Sequence, residues 1–79
     1  MNKIEVLTIF VQAGDFLKPD EVLEELPPGP DRRSLYSYLG RLRRQGLLER
    51  DPRSRRGHLA YRVTARGEER LAYLRQHPR

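Results

Sequence analysis

Ser34-Leu35-Tyr36-Ser37-Tyr38-Leu39-Gly40-Arg41-Leu42-Arg43-Arg44-Gln45-Gly46-Leu47-Leu48-Glu49-Arg50 decides the fold. Leu35, Leu39 and Leu42 recur at helical spacing with Tyr38 beside them, which predicts one helix over about 31–45. Its opposite side carries Arg33, Ser37, Gly40 and Arg44, flanked by Tyr36 and Arg41. Asp31 suits the N-cap, and Gly46 suits the residue that ends the helix. After Gly46 the pattern changes. Leu47-Leu48-Glu49-Arg50 reads as a short strand and Asp51-Pro52-Arg53-Ser54-Arg55-Arg56-Gly57 as a turn. His58-Leu59-Ala60-Tyr61-Arg62-Val63 returns, with Leu59, Tyr61 and Val63 alternating inward.

The flanks complete the pattern. A helix over about 2–13 has Ile4, Leu7 and Val11 on one face with Phe10 at its edge, and Val6, Ile9 and Ala13 on roughly the other. Such a helix needs cover on two sides, from its own chain or from a second copy. Gly14-Asp15 ends it, and Phe16-Leu17 reads as a stub strand that pairs with the later hairpin. A helix over about 19–26 follows, with Pro19 in its first turn, Asp20, Glu21 and Glu24 toward its N-terminus, and Val22, Leu23 and Leu26 inward. Pro27-Pro28-Gly29-Pro30 stops it. Thr64 is the expected N-cap of a last helix over about 65–76, without a capping box because Gly67 stands where Glu would reach back. Leu71, Leu74 and Tyr73 give that helix an apolar stripe.

Helix, helix, helix, hairpin, helix is the order of a winged helix-turn-helix. The expected class is α+β: a three-helix core, a β-hairpin wing over 47–63 and a C-terminal helix. Seventy-nine residues make one domain, 1–79, with a small core. The chain has no Cys, so neither disulfides nor thiolate metal sites are expected. No apolar run approaches the roughly 18 residues of a membrane span, and no leader pattern opens the chain. A soluble, cytoplasmic protein is expected.

The charge is lopsided. Residues 1–30 carry two Lys against six acids, a net of −4, whereas residues 31–79 carry fourteen Arg against five acids, a net of +9. That asymmetry points to a face for a polyanion. On the 31–45 helix the candidate contacts are Arg33, Tyr36, Ser37, Arg41 and Arg44, with Arg32 suited to a phosphate near the helix start. Gly40 weakens a helix but leaves space for a close approach. On the hairpin tip the candidates are Arg53, Arg55 and Arg56, with His58 beside them. Tyr36 and His58 also have plainer readings, as a packing residue and an ordinary strand residue.

Chemistry is poorly represented. His58 and His77 stand far apart, with no acid cluster at ligand spacing, so no metal and no cofactor are expected. Ser34, Ser37 and Ser54 lack a paired His and acid. Glu24-Glu25 and Glu68-Glu69 read as solvated helix faces.

The run Ser34-Leu35-Tyr36, Leu39, Arg41-Leu42, Gly46-Leu47-Leu48-Glu49, Arg55-Arg56-Gly57, Tyr61-Arg62-Val63-Thr64 and Gly67 resembles the PadR family of winged-helix transcriptional regulators, and more loosely the MarR family. In PadR-like proteins the Leu-Tyr segment opens the recognition helix, Leu-Leu-Glu forms the first wing strand, and Tyr-Arg-Val-Thr leads from the second strand into the next helix. The likeness covers 34–71. Ser37 stands where the family usually has Pro, and the segment around Phe16-Leu17-Lys18-Pro19 lacks the family's Gly-Tyr-Glu-like piece. The PadR C-terminal dimer region is also longer than residues 65–79. The alternative reading is a small archaeal, phage or plasmid-type winged-helix protein that only looks like PadR.

The resemblance implies a sequence-specific regulator of double-stranded DNA, a repressor rather than an enzyme. An architectural or replication-associated DNA binder and a protein–protein module are the alternatives. No small-molecule effector domain is evident. A homodimer is expected through the first and last helices, using Val6, Ile9, Ala13, Leu71, Tyr73 and Leu74. The alternative is that the last helix covers the second face of the first within one subunit.

Overall fold

A computed structural model describes residues 1–77. The elements are α1 (Lys3–Ala13), α2 (Pro19–Glu25), α3 (Arg32–Arg44), β1 (Leu48–Arg50), β2 (Tyr61–Val63) and α4 (Ala65–Gln76). This is the expected α+β winged helix-turn-helix, with each helix boundary within one residue of its sequence-based position. The inward leucines are where their spacing put them: Leu35, Leu39 and Leu42 have no exposed surface. They meet Val6, Leu7 and Phe10 of α1, Val22 of α2, Leu47 and Leu48, Tyr61 and Val63 of the hairpin, and Leu71 of α4.

The hairpin is antiparallel, pairing Leu48 with Val63, Glu49 with Arg62 and Arg50 with Tyr61. The stub strand forms as one bridge. Leu17 N–H donates to the Tyr61 carbonyl at 2.8 Å, and Tyr61 N–H returns the bond at 2.9 Å. The return strand starts at Tyr61 rather than His58. Asp51 N–H still reaches the Ala60 carbonyl at 2.9 Å, but beyond it the tip bonds to itself. Ser54 N–H donates to the Asp51 carbonyl at 3.0 Å and His58 N–H to the Arg55 carbonyl at 2.8 Å. Those local turns take up groups that a longer ladder would need.

The face of α1 needs correcting. Its buried stripe is Val6, Leu7 and Phe10, while Ile4 and Val11 are 37% and 36% exposed. That stripe faces the cluster made by α2, α3 and the hairpin together with Leu71, whereas α4 lies along the Ile4 and Thr8 side of α1, where Arg75 Nη2 donates to Thr8 Oγ1 at 3.0 Å. Val6 and Leu71, both expected on a dimer seam, are therefore inside the subunit at 0% and 3% exposure. Of the other seam candidates, Ile9 and Leu74 are half-buried and Ala13 and Tyr73 are exposed.

The junction between α3 and the wing is tightly built. Gly46 takes the left-handed conformation at φ 80°. Its N–H donates to the Arg43 carbonyl at 2.9 Å, and Leu47 N–H donates to the Leu42 carbonyl at 3.0 Å. This is a Schellman ending, with Leu47 and Leu42 in the accompanying apolar contact positions. Thr64 then binds the same turn. Its N–H donates to the Leu47 carbonyl at 3.0 Å, and its hydroxyl donates to the Gly46 carbonyl at 2.6 Å. The same hydroxyl oxygen caps α4 by accepting from Gly67 N–H at 3.0 Å.

Gly67 is a steric requirement. A Cβ there would lie 2.2 Å from the Leu47 carbonyl oxygen and 2.6 Å from Val63 Cγ2. A capping-box glutamate has no room to stand at this position. Gly67→Ala is expected to destabilise the domain by roughly 1–3 kcal/mol through overpacking. Urea denaturation checks this; an unchanged midpoint would contradict the close packing.

Candidate nucleic-acid interface

Helix α3 exists because its two ends are capped and one face is leucine. At its start Asp31 Oδ1 accepts from Ser34 N–H at 2.7 Å. Hydrogen bonding from Ser34 holds the Asp31 carboxyl below its usual value. The charge of this cap also offsets the unfavourable placing of two arginines, Arg32 and Arg33, at the positive end of a helix.

With Leu35, Leu39 and Leu42 inward, Arg33, Tyr36, Ser37, Arg41 and Arg44 are all exposed. Arg43 is exposed as well and belongs with them, although its place in the sequence did not single it out. A signal for it exists: Arg43 lies seven residues after Tyr36, on the same flank of the helix. Gly40 sits mid-helix, half-buried, and a Cβ there would have open space around it. Nothing within the fold requires glycine at this position.

Arg32 is engaged. Its Nε lies 2.9 Å from Asp20 Oδ1, tying α2 to the start of α3. On the wing tip Asp51 has a similar role. Its Oδ1 accepts from Arg53 N–H at 2.9 Å and lies 3.5 Å from Arg53 Nε. Arg55 and Arg56 are exposed. Among the described residues, Arg33, Arg41, Arg43, Arg44, Arg55 and Arg56 have no carboxylate within salt-bridge distance.

Tyr36 and His58 border the same small cleft. They line it with Lys18, Pro19, Asp20, Gly57 and Leu59, where the wing loop returns past α3. Tyr36 keeps 40% of its surface exposed. The sequence placed these residues on separate elements; the fold makes them one seam between helix and wing. Three glutamates of the acidic half gather elsewhere. Glu21, Glu24 and Glu25 line a groove between α1 and α2 with Ile9, Gln12, Ala13 and Leu17. The charge asymmetry of the sequence is thus also an asymmetry in space.

Among the described residues no three His, Cys, Asp or Glu side chains group as metal ligands. No helix among them is long and apolar enough to cross a membrane.

Comparison with family models and with curated proteins finds no match. A solved structure that this one resembles is that of a PadR family transcription regulator from Clostridium difficile. The two superpose with a TM-score of 0.68 over 95% of this chain and 85% of that one, at 17% sequence identity. At that identity the likeness establishes a shared winged-helix fold.

Proposed function

We propose that this chain is a PadR-like transcriptional regulator that binds double-stranded DNA in a sequence-specific manner and acts as a repressor in the cytoplasm. The carrying observation is the set of exposed arginines on α3 and the wing tip that lack carboxylate partners among the described residues. A surface dense in unpaired cations gains most from phosphates, because binding releases condensed counterions. The winged-helix likeness to a PadR family regulator supports the same reading.

In this reading α3 enters the major groove with Arg33 and Ser37 toward base edges. Tyr36, Arg41 and Arg44 flank them, and Arg43 extends the row. Arg55 and Arg56, with Arg53, follow phosphates or enter the minor groove beside it. Arg32 and His58 have supporting places, one held by Asp20 and the other in the cleft that Tyr36 also lines. Gly40 leaves room for close approach of the duplex. Repression would follow from occupying an operator. An architectural binder would lack the roughly 10³-fold preference for its site over random DNA that a regulator needs.

The proposed assembly is a homodimer through α1 and α4, since a single winged helix presents one reading head and palindromic half-sites need two. The accessible apolar surface for it is Ile4 and Val11 on one face of α1, with Tyr73 and Leu74 on α4. Ile4, Tyr73 and Leu74 line one groove between these helices. Sedimentation at tens of micromolar protein should give twice the 9.3 kDa chain mass, and Tyr73→Asp should halve it. A 9.3 kDa species that also binds a full palindrome 1:1 would contradict the dimer.

Two variants test the DNA reading. The combined R53A/R55A/R56A variant should weaken all duplexes alike and lower the salt slope by about one unit for each phosphate it no longer neutralises. Unchanged affinity would sink the wing's role in binding. Gly40→Ala should stabilise the free protein by about 1 kcal/mol. The same change should weaken duplex binding, because it fills the space facing the groove. Greater stability with unimpaired binding would show that no duplex approaches Gly40.

A further inference from the structure

Arg62 is an arginine in the basic half of the chain whose surroundings differ from those of its neighbours. It lies in the middle of β2, opposite Glu49 in the register of the hairpin. Its Nε and Nη2 both donate to Glu49 Oε1, the first at 3.0 Å. The same guanidinium sits over the ring of Phe16, 4.4 Å from its centroid. Phe16 precedes Leu17, the residue that bridges to Tyr61. One side chain therefore spans three segments: β1 through Glu49, β2 through its own backbone, and the stub strand through Phe16.

The hairpin needs such a tie. Each of its strands is three residues long, and an isolated two-stranded hairpin is marginal in water. Its inner face is held by Leu48, Tyr61 and Val63 in the core. Its outer face is held by the Arg62 cluster. An exposed ion pair alone contributes little. Stacking on an aromatic ring adds to it, and the planar guanidinium suits both contacts at once in a way that a lysine ammonium does not.

We propose that Arg62 is a positioning residue for the wing: with Glu49 and Phe16 it fixes the angle at which Arg53, Arg55 and Arg56 are presented, without touching the duplex itself. The inference rests on the DNA-binding reading above. It assigns Glu49 an unusual role, that of an acidic residue that strengthens binding to a polyanion.

The test compares Arg62→Met with Glu49→Thr, each checked for folding by circular dichroism, with Arg62→Lys as a milder third variant. Met lowers the net charge by one, and Thr raises it by one while keeping a strand-favouring side chain. If Arg62 acts only as a charge, the two variants shift duplex affinity in opposite directions. If it positions the wing, both weaken binding, by about three- to tenfold. In the R53A/R55A/R56A background both effects should vanish, because residues acting through one unit are not additive. Hydrogen exchange of the Tyr61 and Asp51 amides in the free protein should quicken in both variants.

Opposite shifts in affinity, or an effect that persists without the wing arginines, would overturn the proposal. Exchange rates equal to those of the parent would overturn it too. Quickened exchange with parental affinity would overturn the positioning role while leaving the DNA reading intact, provided the wing-arginine variant still binds weakly. Failure of the parent protein to bind any duplex would bring down the reading and this inference together.

Discussion

Three hydrogen bonds at Thr64 hold the working parts of this molecule together. Its N–H and hydroxyl reach the carbonyls of Leu47 and Gly46, and its hydroxyl oxygen receives Gly67 N–H. The end of α3, the start of β1, the end of β2 and the start of α4 therefore meet at one point. A turn that both ends a helix and starts a strand would otherwise leave carbonyls without partners. Here Thr64 satisfies two of them and caps the next helix. The absence of a side chain at Gly67 is what allows α4 to come close enough. The relative placing of α3 and wing follows from this contact, with the Schellman ending of α3 as its other half.

Around that junction two kinds of arginine stand out. Arg32, Arg62 and Arg75 hold elements together, through Asp20, Glu49 with Phe16, and Thr8. Arg33, Arg41, Arg43, Arg44, Arg55 and Arg56 have no carboxylate partner among the described residues and stand exposed. Sequence alone cannot separate the two kinds, because each depends on a carboxylate, ring or hydroxyl brought close by tertiary structure. Phe16 is forty-six residues before Arg62, and nothing in local periodicity relates them. The mutual repulsion of the unpaired set is a standing cost in the free protein that a polyanion would remove.

Much of the fold is legible in the sequence for the same reason that the junction is tight. Gly46, Thr64 and Gly67 are residues with restricted uses, and each marks its position in the chain. The leucine spacing of α3 and the stub pairing of Leu17 are readable as well. Helix α1 misleads. Both of its sides are apolar, and only tertiary packing decides that Val6, Leu7 and Phe10 go inward while Ile4 and Val11 stay accessible. The same packing puts Val6 and Leu71 in the core rather than on the expected seam. The return strand is shorter than its pattern suggests because alternation at Leu59, Tyr61 and Val63 describes burial, while pairing is limited by the tip's own turns. The start of α1 carries a capping box, Asn2 with Glu5, that the apolar pattern does not reveal although both residues stand at capping spacing.

In the proposed reading α3 and the wing tip form one duplex-binding face, separate from the acidic groove between α1 and α2. Backbone amide shift mapping of isotope-labelled protein titrated with a duplex checks this residue by residue. The expected result is that perturbations concentrate in residues 32–44 and 52–58, while the amides of Glu21, Glu24 and Glu25 stay unmoved. Perturbations centred on the α1–α2 groove or on α4, with α3 silent, would contradict it.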